Sequence, residues 1–248
     1  MKKIIQLSLI LFTFLNLEAQ NNYGTITYKK LKLTKTYTED KKERLGVAKF
    51  KKFSKIEESM IKAYKVLEFT LDFNNDESIF KVQSFLETPK HRFLKFSVGP
   101  EGKGIYYNSR EERIRKNSSF GEDFLIYYPK PPLNWKLQNE TKKIGKYIAY
   151  KAITIEKVKT GRGIKEYLIT AWYAPEVNIH FGPIGFSGLP GLIIELERNG
   201  IQYYVHNIKL NPKKQLKINK PKKGKKITID EYREIAINAM KRYRKIRG

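Results

Sequence analysis

The feature that most constrains the fold is a regular alternation of apolar and polar residues in one run, which a second strand-like run follows closely. Within 66–73, Leu67, Phe69, Leu71 and Phe73 alternate with polar residues, and the second run covers 78–82. Alternation with period two places the apolar side chains on one face of a β-strand. Between the runs, Asn74-Asn75-Asp76 supplies residues that favour tight turns. We therefore expect two neighbouring antiparallel strands, each with one buried face.

Strand-like runs recur along most of the chain, and a large antiparallel sheet is their simplest assembly. The further candidates cover residues 24–28, 92–97, 104–107, 112–115, 124–128, 147–157, 166–173, 192–197 and 202–210. Tyrosine pairs at 106–107, 127–128 and 203–204 place one ring on each face of a strand. If the sheet is strongly curled, its concave face could form an apolar pocket rimmed by tyrosines. The alternative is that these rings fill the core.

Helical signals are fewer. Thr228 and Glu231 have the spacing of a capping box, and apolar residues follow at helical intervals. This pattern predicts a C-terminal amphipathic helix over 228–247 that packs on the sheet. A Ser-x-x-Glu spacing at Ser54 and Glu57 predicts a second helix over 54–64. The fold class is thus α+β and mainly β: a large, curled, half-barrel-like antiparallel sheet with one or two packed helices.

The amino terminus has the layout of a secretory signal. Lys2 and Lys3 precede the apolar run 4–17, and Ala19 is a small residue at a suitable cleavage point. We expect residues 1–19 to be a cleaved signal peptide and the protein to be periplasmic or otherwise part of the cell envelope. An uncleaved anchor is the alternative. No second long apolar run follows, so we expect no transmembrane segment after cleavage.

The remaining chain is long enough for one domain with a sizeable core. We interpret 20–210 as a single β-rich domain, 211–227 as a basic linker, and 228–247 as a helix packed on that domain. The segment 211–227 contains Pro212, Pro221 and Gly224 among many lysines, which is typical of an exposed, mobile connection.

Composition restricts the chemistry. Cysteine is absent, so disulfides, a lipoprotein acyl anchor and thiolate sites are excluded. The chain has 50 Lys plus Arg against 25 Asp plus Glu, and residues 209–248 hold fifteen basic against three acidic residues. Such a surface attracts polyanions such as anionic lipid head groups. A merely solvated lysine-rich surface is the alternative, and export argues against a specific nucleic-acid target.

The most unusual segment runs from 170 to 196 and contains a strand, a loop and a second strand. Pro190 fixes φ near −65°, and Gly191 can adopt positive φ, which are the requirements of a type II turn. Pro175 and Pro183 cannot donate backbone hydrogen bonds. We therefore expect an ordered loop with a sharp bend into the second strand, and we expect Trp172, Phe181 and Phe186 to cover one end of the core.

This segment resembles the signature of the GLPGLI family of Bacteroidetes, which takes its name from the run that stands here at 188–193. The resembling residues are Trp172, Tyr173, Pro175, Gly182, Pro183, Phe186, Gly188, Leu189, Pro190, Gly191, Leu192 and Ile193. Further similarity lies at 71–80 and 135–152. The resemblance implies an exported protein without an assigned reaction, whose relatives are often encoded beside outer-membrane receptors. Ala149 and Asn178 depart from the residues usual in the family.

Candidate catalytic residues are sparse. The three histidines, His91, His180 and His206, have no metal-binding spacing, and no cofactor fingerprint is present. We therefore expect neither a metal nor a cofactor. The leading hypothesis is a non-enzymatic binding or accessory module for an outer-membrane receptor or for an anionic or apolar envelope component. The alternatives are a hydrolase-like enzyme that uses His180 and Glu195, and a purely structural envelope protein. The sequence does not indicate the oligomeric state.

Overall fold

A computed structural model describes residues 23–86, 93–129, 133–214 and 216–247 of the chain. It is mainly β, with 45% strand and one open, non-closed sheet of twelve strands, and it has four α-helices. This confirms the predicted fold class. The predicted signal peptide and His91 lie outside the described residues.

The twelve strands include every run predicted to be a strand except 92–97. They are β1 Gly24–Lys32, β2 Phe69–Phe73, β3 Glu77–Val82, β4 Ile105–Ser109, β5 Arg113–Ser119, β6 Glu122–Tyr127, β7 Lys136–Ile144, β8 Tyr147–Thr160, β9 Gly163–Ala174, β10 Leu192–Arg198, β11 Ile201–Leu210 and β12 Lys225–Thr228.

The sheet is built from two meanders that meet at β1. Strands β2 to β6 follow one another on one side of β1, and β11 back to β7 follow on the other side. Neighbouring strands are antiparallel except β12, which pairs with β6 in parallel. The predicted β2–β3 hairpin is confirmed, because Leu71 pairs with Phe80 and the Asn74 side chain accepts hydrogen bonds from the amides of Asp76 and Glu77.

The helices are α1 Asp40–Leu45, α2 Val47–Tyr64, α3 Leu94–Gly102 and α4 Ile229–Arg247. No helix in the described ranges is both long and apolar enough to cross a membrane. The strand predicted over 92–97 is wrong, because its described part begins α3. Leu94 and Val98 are buried one helical turn apart, and this spacing outweighs the local alternation.

The main core lies on the inner face of the sheet, beneath α2, α3 and the segment between β9 and β10. Phe69, Phe80 and Tyr203 form its aromatic centre, with the rings of Phe69 and Phe80 stacked 5.6 Å apart. Lys30 is buried beside them and donates hydrogen bonds from Nζ to the carbonyl oxygens of Ser97 and Val98, at 2.5 and 2.9 Å. A lysine of the central strand thus holds α3 in place.

The C-terminal segment contacts the sheet at two places, by side-chain packing and by strand pairing. Within 211–227, the segment that the sequence assigns to a linker, Ile218 packs on an outer-face cluster that includes Ile114 and Leu125, and β12 pairs with β6. The capping box that opens α4 is confirmed, because Thr228 N donates to Glu231 Oε2 at 2.7 Å and Glu231 N donates to Thr228 Oγ1 at 3.2 Å.

Candidate functional site

The loop between β9 and β10, which we call the motif loop (residues 175–191), joins two strands that pair directly. Leu192 lies opposite Ala174, and antiparallel pairing continues along both strands. The predicted bend between paired strands is therefore confirmed. Its geometry differs from a type II turn, because Gly191 N donates to Leu189 O at 2.8 Å while Leu192 N donates to Val177 O at 3.0 Å. The amide of Leu192 pairs across the loop, which replaces the turn hydrogen bond that we expected.

The motif loop folds inward and covers one end of the core. Phe181 and Phe186 are buried as predicted, and the Trp135 indole donates to Ser187 O at 2.9 Å. The prediction for Trp172 is wrong. This residue lies opposite Lys151 and Glu195 on the outer face, where Lys142 Nζ stands 4.3 Å from the centre of its ring.

Most of the predicted motif residues serve packing in this arrangement. Those buried are Tyr173, Gly182, Pro183, Phe186, Leu189, Gly191, Leu192 and Ile193, and those exposed are Pro175, Gly188 and Pro190. The carbonyl of Ile193 accepts a hydrogen bond from the buried Tyr28 hydroxyl at 2.7 Å. This contact ties the start of β10 to the central strand. A direct role of the motif residues in binding stays a prediction.

Next to the motif loop is a cleft of about 350 Å³, which we call the arginine cleft. One wall comes from β4 and β5 and another from β8, strands that stand far apart in the sheet. The sheet therefore curls back on itself. The charged lining residues are Arg113, Arg115, Arg198, Arg233, Lys157, Glu101 and Glu156. The tyrosine and apolar side chains of the lining include Tyr106, Tyr128, Tyr232, Leu133, Ile184 and Phe186.

Arg113 is the least satisfied polar group of the cleft. Its Nη2 donates to Gly185 O at 3.0 Å, and its guanidinium carbon stands 5.3 Å from the centre of the Tyr128 ring. The Nε atom is buried and lacks a hydrogen-bond partner in the described part of the chain. Burial lowers the pKa of Arg113, yet a guanidinium keeps its proton at neutral pH. No described carboxylate lies within ion-pair distance of it.

Arg115 lies two residues further along β5 on the same face. It is 7% exposed, and its Nε and Nη2 atoms donate to Lys103 O at 3.2 and 3.0 Å. A further hydrogen bond reaches Pro100 O in α3. Its partners are thus chiefly backbone carbonyls and no described carboxylate, so it adds a second buried positive charge beside Arg113.

The carboxylates of the cleft are held by the other two arginines. Arg198 forms ion pairs with Glu101 and, at 2.7 Å, with Glu156. Arg233 Nη2 stands 3.4 Å from the same Glu156. These pairs connect β10, α3, β8 and α4. Because both acids are occupied, the excess positive charge is concentrated at Arg113 and Arg115.

The prediction of an apolar pocket rimmed by tyrosines is met in part. Tyr106 and Tyr128 line the cleft, and burial raises the pKa of Tyr106 far above its usual range, so its hydroxyl stays neutral. Tyr203 is fully buried in the core, which agrees with the alternative interpretation. The arginines make the cleft cationic where an apolar pocket was expected.

The structure does not bring the residues of the hydrolase hypothesis into one hydrogen-bonded group. His180 is exposed and its Nδ1 atom contacts Leu189 O at 2.9 Å. Glu195 accepts from Lys142 Nζ at 2.5 Å and from Gln202 Nε2 at 2.8 Å. His206 is the extra residue of a bulge opposite Thr27 and Tyr28. Among the described residues, no three or more His, Asp or Glu side chains are grouped to hold a metal ion.

The arginines were not among the residues predicted to form a site, although the sequence contains a signal for them. Arg113 and Arg115 flank Ile114 in a run recognised as a strand, so period two places both on the face opposite that apolar residue. Ile114 is buried in a small cluster on the outer face. The arginines must therefore face inward, where most strands carry apolar side chains.

Comparison with known proteins gives a family match for one part of the chain. Residues 160–195 match the model of a family described as "Protein of unknown function (Porph_ging)". The matched region runs from the end of β8 through the motif loop into β10, and so includes the Gly185 carbonyl and the Ile184 and Phe186 side chains of the arginine cleft. No curated protein matches the chain.

Two solved structures show a partial likeness. "Structure of PNGF-II in C2 space group" is 16% identical over 87% of this chain and 32% of that chain, with a TM-score of 0.46. "Structure of PNGF-II in P21 space group" is 15% identical over 87% of this chain and 33% of that chain, also with a TM-score of 0.46. The chain spans about a third of the length of these structures.

Proposed function

We propose that the chain is an exported GLPGLI-type protein of the cell envelope that binds a small anionic ligand in the arginine cleft. The observation that carries the proposal is the Nε atom of Arg113, a buried cationic donor without a partner among the described residues. An unsatisfied buried donor is costly, and a carboxylate or phosphate oxygen of a ligand would satisfy it.

The shape and walls of the cleft support a ligand with an apolar body. Its volume of about 350 Å³ falls within the usual range for small-molecule sites. Leu133, Ile184 and Phe186 provide apolar surface beside the arginines. A ring or short chain that carries one acidic group would place its charge at Arg113 and Arg115 and its body against these three side chains.

Export rests on the sequence alone. The lysines, apolar run and small residue of 1–19 have the order of a cleavable signal, and the GLPGLI resemblance implies an envelope location. Within the envelope, we propose a role as a binding or accessory module, with an outer-membrane receptor as its partner. Fractionation of cells that express the full chain tests this part. We expect the protein in the envelope fraction with Gln20 as its first residue, and an intact leader on a cytosolic protein would contradict export.

Binding is tested on the purified mature chain with phenyl phosphate and benzoate, and with benzyl alcohol as a neutral ligand of similar shape. We expect the two anions, but not the alcohol, to raise the melting temperature, because ligands of the folded state stabilise it. Arg113→Gln should abolish the shift. The matched control is Arg110→Gln, because Arg110 is an exposed arginine that pairs with Asp76 at 3.3 Å.

Arg113→Lys distinguishes lost binding from lost folding. This variant keeps the positive charge but not the Nε donor, so we expect a wild-type melting temperature within a few degrees and a weaker response to the anions. Equal responses of the wild type, Arg113→Gln and Arg110→Gln would show that the anions bind elsewhere on the basic surface. The purely structural alternative would then be favoured.

A further inference from the structure

The apolar stripe of α4 continues beyond the surface that the sheet covers. At its start, Ile229, Tyr232 and Ile235 pack on the cluster formed by Phe124, Ile126 and Ile227. Towards its end, Met240 is 54% and Ile246 84% exposed. A helix that is amphipathic along its whole length but covered only along its first half leaves an apolar face available for another surface.

The tip of the β8–β9 hairpin meets this part of α4 and forms a groove of about 400 Å³, which we call the basic groove. It is lined by Lys159, Thr160, Gly161, Arg162, Arg233, Ala236, Ile237, Met240, Lys241 and Arg244. The ion pair between Lys159 and Glu234, at 2.6 Å, holds the hairpin tip against the helix. The groove is therefore a composite of two elements that are fixed to each other.

The charges of the basic groove are only partly compensated. Lys159 and Arg233 have carboxylate partners. For Arg162, Lys241 and Arg244, no carboxylate lies within ion-pair distance in the described ranges. Three uncompensated cations thus surround the exposed Met240. Near the hairpin tip, Ile164 is 73% exposed, which adds a second aliphatic group to the same end of the molecule.

We infer that this end of the molecule docks on the surface of an anionic lipid bilayer. Exposed aliphatic side chains among lysines and arginines on an amphipathic helix are the composition of helices that lie at a membrane interface. The cations would contact lipid head groups, while Met240, Ile246 and Ile164 would enter the boundary of the acyl chains. A soluble acidic protein or polymer would use the cations but leave the aliphatic groups in water, so the bilayer fits both features.

The test is cosedimentation of the mature chain with vesicles of phosphatidylcholine alone and of phosphatidylcholine mixed with phosphatidylglycerol. We expect binding to the anionic vesicles that weakens as salt is added. Replacing Arg162, Lys241 and Arg244 together by serine should lower the partition coefficient on the order of a hundredfold, because each basic residue near an anionic surface contributes about tenfold or less. Met240→Ser with Ile246→Ser should lower it by about tenfold.

The control removes the same number of charges elsewhere. Lys49, Lys51 and Lys52 are exposed on α2, and replacing all three by serine should change binding by less than about threefold if docking is local to the basic groove. Equal losses in the two triple variants would overturn the proposal in favour of a non-specific charge effect. Equal binding to both kinds of vesicle would also overturn it, as would full retention of binding in the Met240 and Ile246 variant, which would point to an acidic polymer as the partner.

Discussion

Arg113 donates a hydrogen bond to the carbonyl oxygen of Gly185 at 3.0 Å, and this contact joins β5 to the motif loop. The strand supplies the charge of the arginine cleft, and the loop supplies the carbonyl that orients it. The match to a family of unknown function covers the loop but not the strand. The cleft is therefore formed partly by the motif loop, which the family match includes, and partly by β5, which it does not.

Gly185 should be intolerant of a side chain because of its backbone and its neighbour. Its φ is +81°, and a Cβ atom would lie 2.9 Å from Cδ1 of Tyr106. We expect Gly185→Ala to lower the free energy of unfolding by about 2 to 5 kcal/mol, from left-handed backbone strain and overpacking together. Denaturant unfolding measures this loss.

Gly121→Ala is the matched control for that substitution. Gly121 has φ of +83° with no atom within 4 Å of the added Cβ, so it should lose only the backbone contribution of about 1 to 2 kcal/mol. The excess in Gly185→Ala measures the contact with Tyr106. Equal losses of unfolding free energy in the two variants would show that Gly185 is not packed closely against Tyr106.

Gly191 fixes the bend into β10. Its φ is +151°, and an added Cβ would lie 2.3 Å from the carbonyl oxygen of Ala174. We expect Gly191→Val to destabilise the whole fold, since the clash falls on the paired ends of β9 and β10. Gly163→Val, with φ of +111° and open space around it, is the control. A wild-type melting temperature in Gly191→Val, together with lost ligand binding, would contradict a structural role.

The buried Lys30 should give stability a distinct dependence on alkaline pH. Burial lowers its pKa to about 8 from an ordinary value of 10.5. Between these values the unfolded chain holds a proton that the folded chain has released, so the free energy of unfolding should rise with pH, by up to about 3 kcal/mol. Below pH 8 both states are protonated and this contribution is flat.

The measurement is denaturant unfolding of the wild type and Lys30→Met across that window. The difference in stability between them should change with pH, whereas Lys29→Met, a substitution on the neighbouring position of β1, should run parallel to the wild type. A constant difference between wild type and Lys30→Met from neutral to alkaline pH would show that Lys30 is not desolvated.

Glu57 should make the stability of the fold depend on pH in acidic solution. Burial alone would raise the pKa of Glu57. Hydrogen bonds from Lys32 and from the backbone amides of Thr36 and Tyr37 outweigh this effect and lower the pKa to about 2. Because the folded pKa is depressed, this group stabilises the fold above its ordinary pKa of 4.5, and the contribution is lost as pH falls towards 2.

Glu57→Gln should therefore be less stable than the wild type at neutral pH, and the gap should close as the solution is acidified. Urea unfolding at several pH values measures it. The neighbouring Glu58 is exposed, so Glu58→Gln should stay close to the wild type throughout. A gap between Glu57→Gln and wild type that does not depend on pH would contradict the assigned network.

The sequence predicts those elements whose pattern is local. Alternation located β2 and β3, and the capping box located the start of α4. Two strands were not predicted. One is β7, an edge strand whose side chains are mostly exposed and lack apolar alternation. The other is β12, which has four residues and pairs in parallel. The predicted start of α2 at Ser54 was also late, because the helix already begins at Val47.

The cleft was harder to predict because it depends on how the sheet curls. Tyr106 and Glu156 come from strands that are separated by six others in the sheet, and no local pattern brings them together. Trp172 was expected to cover the core, but its strand neighbours Ala171 and Tyr173 are buried, so alternation along β9 places Trp172 on the outer face. Side-chain direction within a strand was predictable, whereas the neighbours across the cleft were not.

The most direct test of anion binding in the cleft is nuclear magnetic resonance of arginine Nε–H groups in the mature chain during titration with phenyl phosphate. We expect the Arg113 resonance, assigned by its loss in Arg113→Lys, to shift and saturate, and to shift far less with benzyl alcohol. An Arg113 resonance that stays unchanged while surface groups respond would contradict the assignment of the arginine cleft as the binding site.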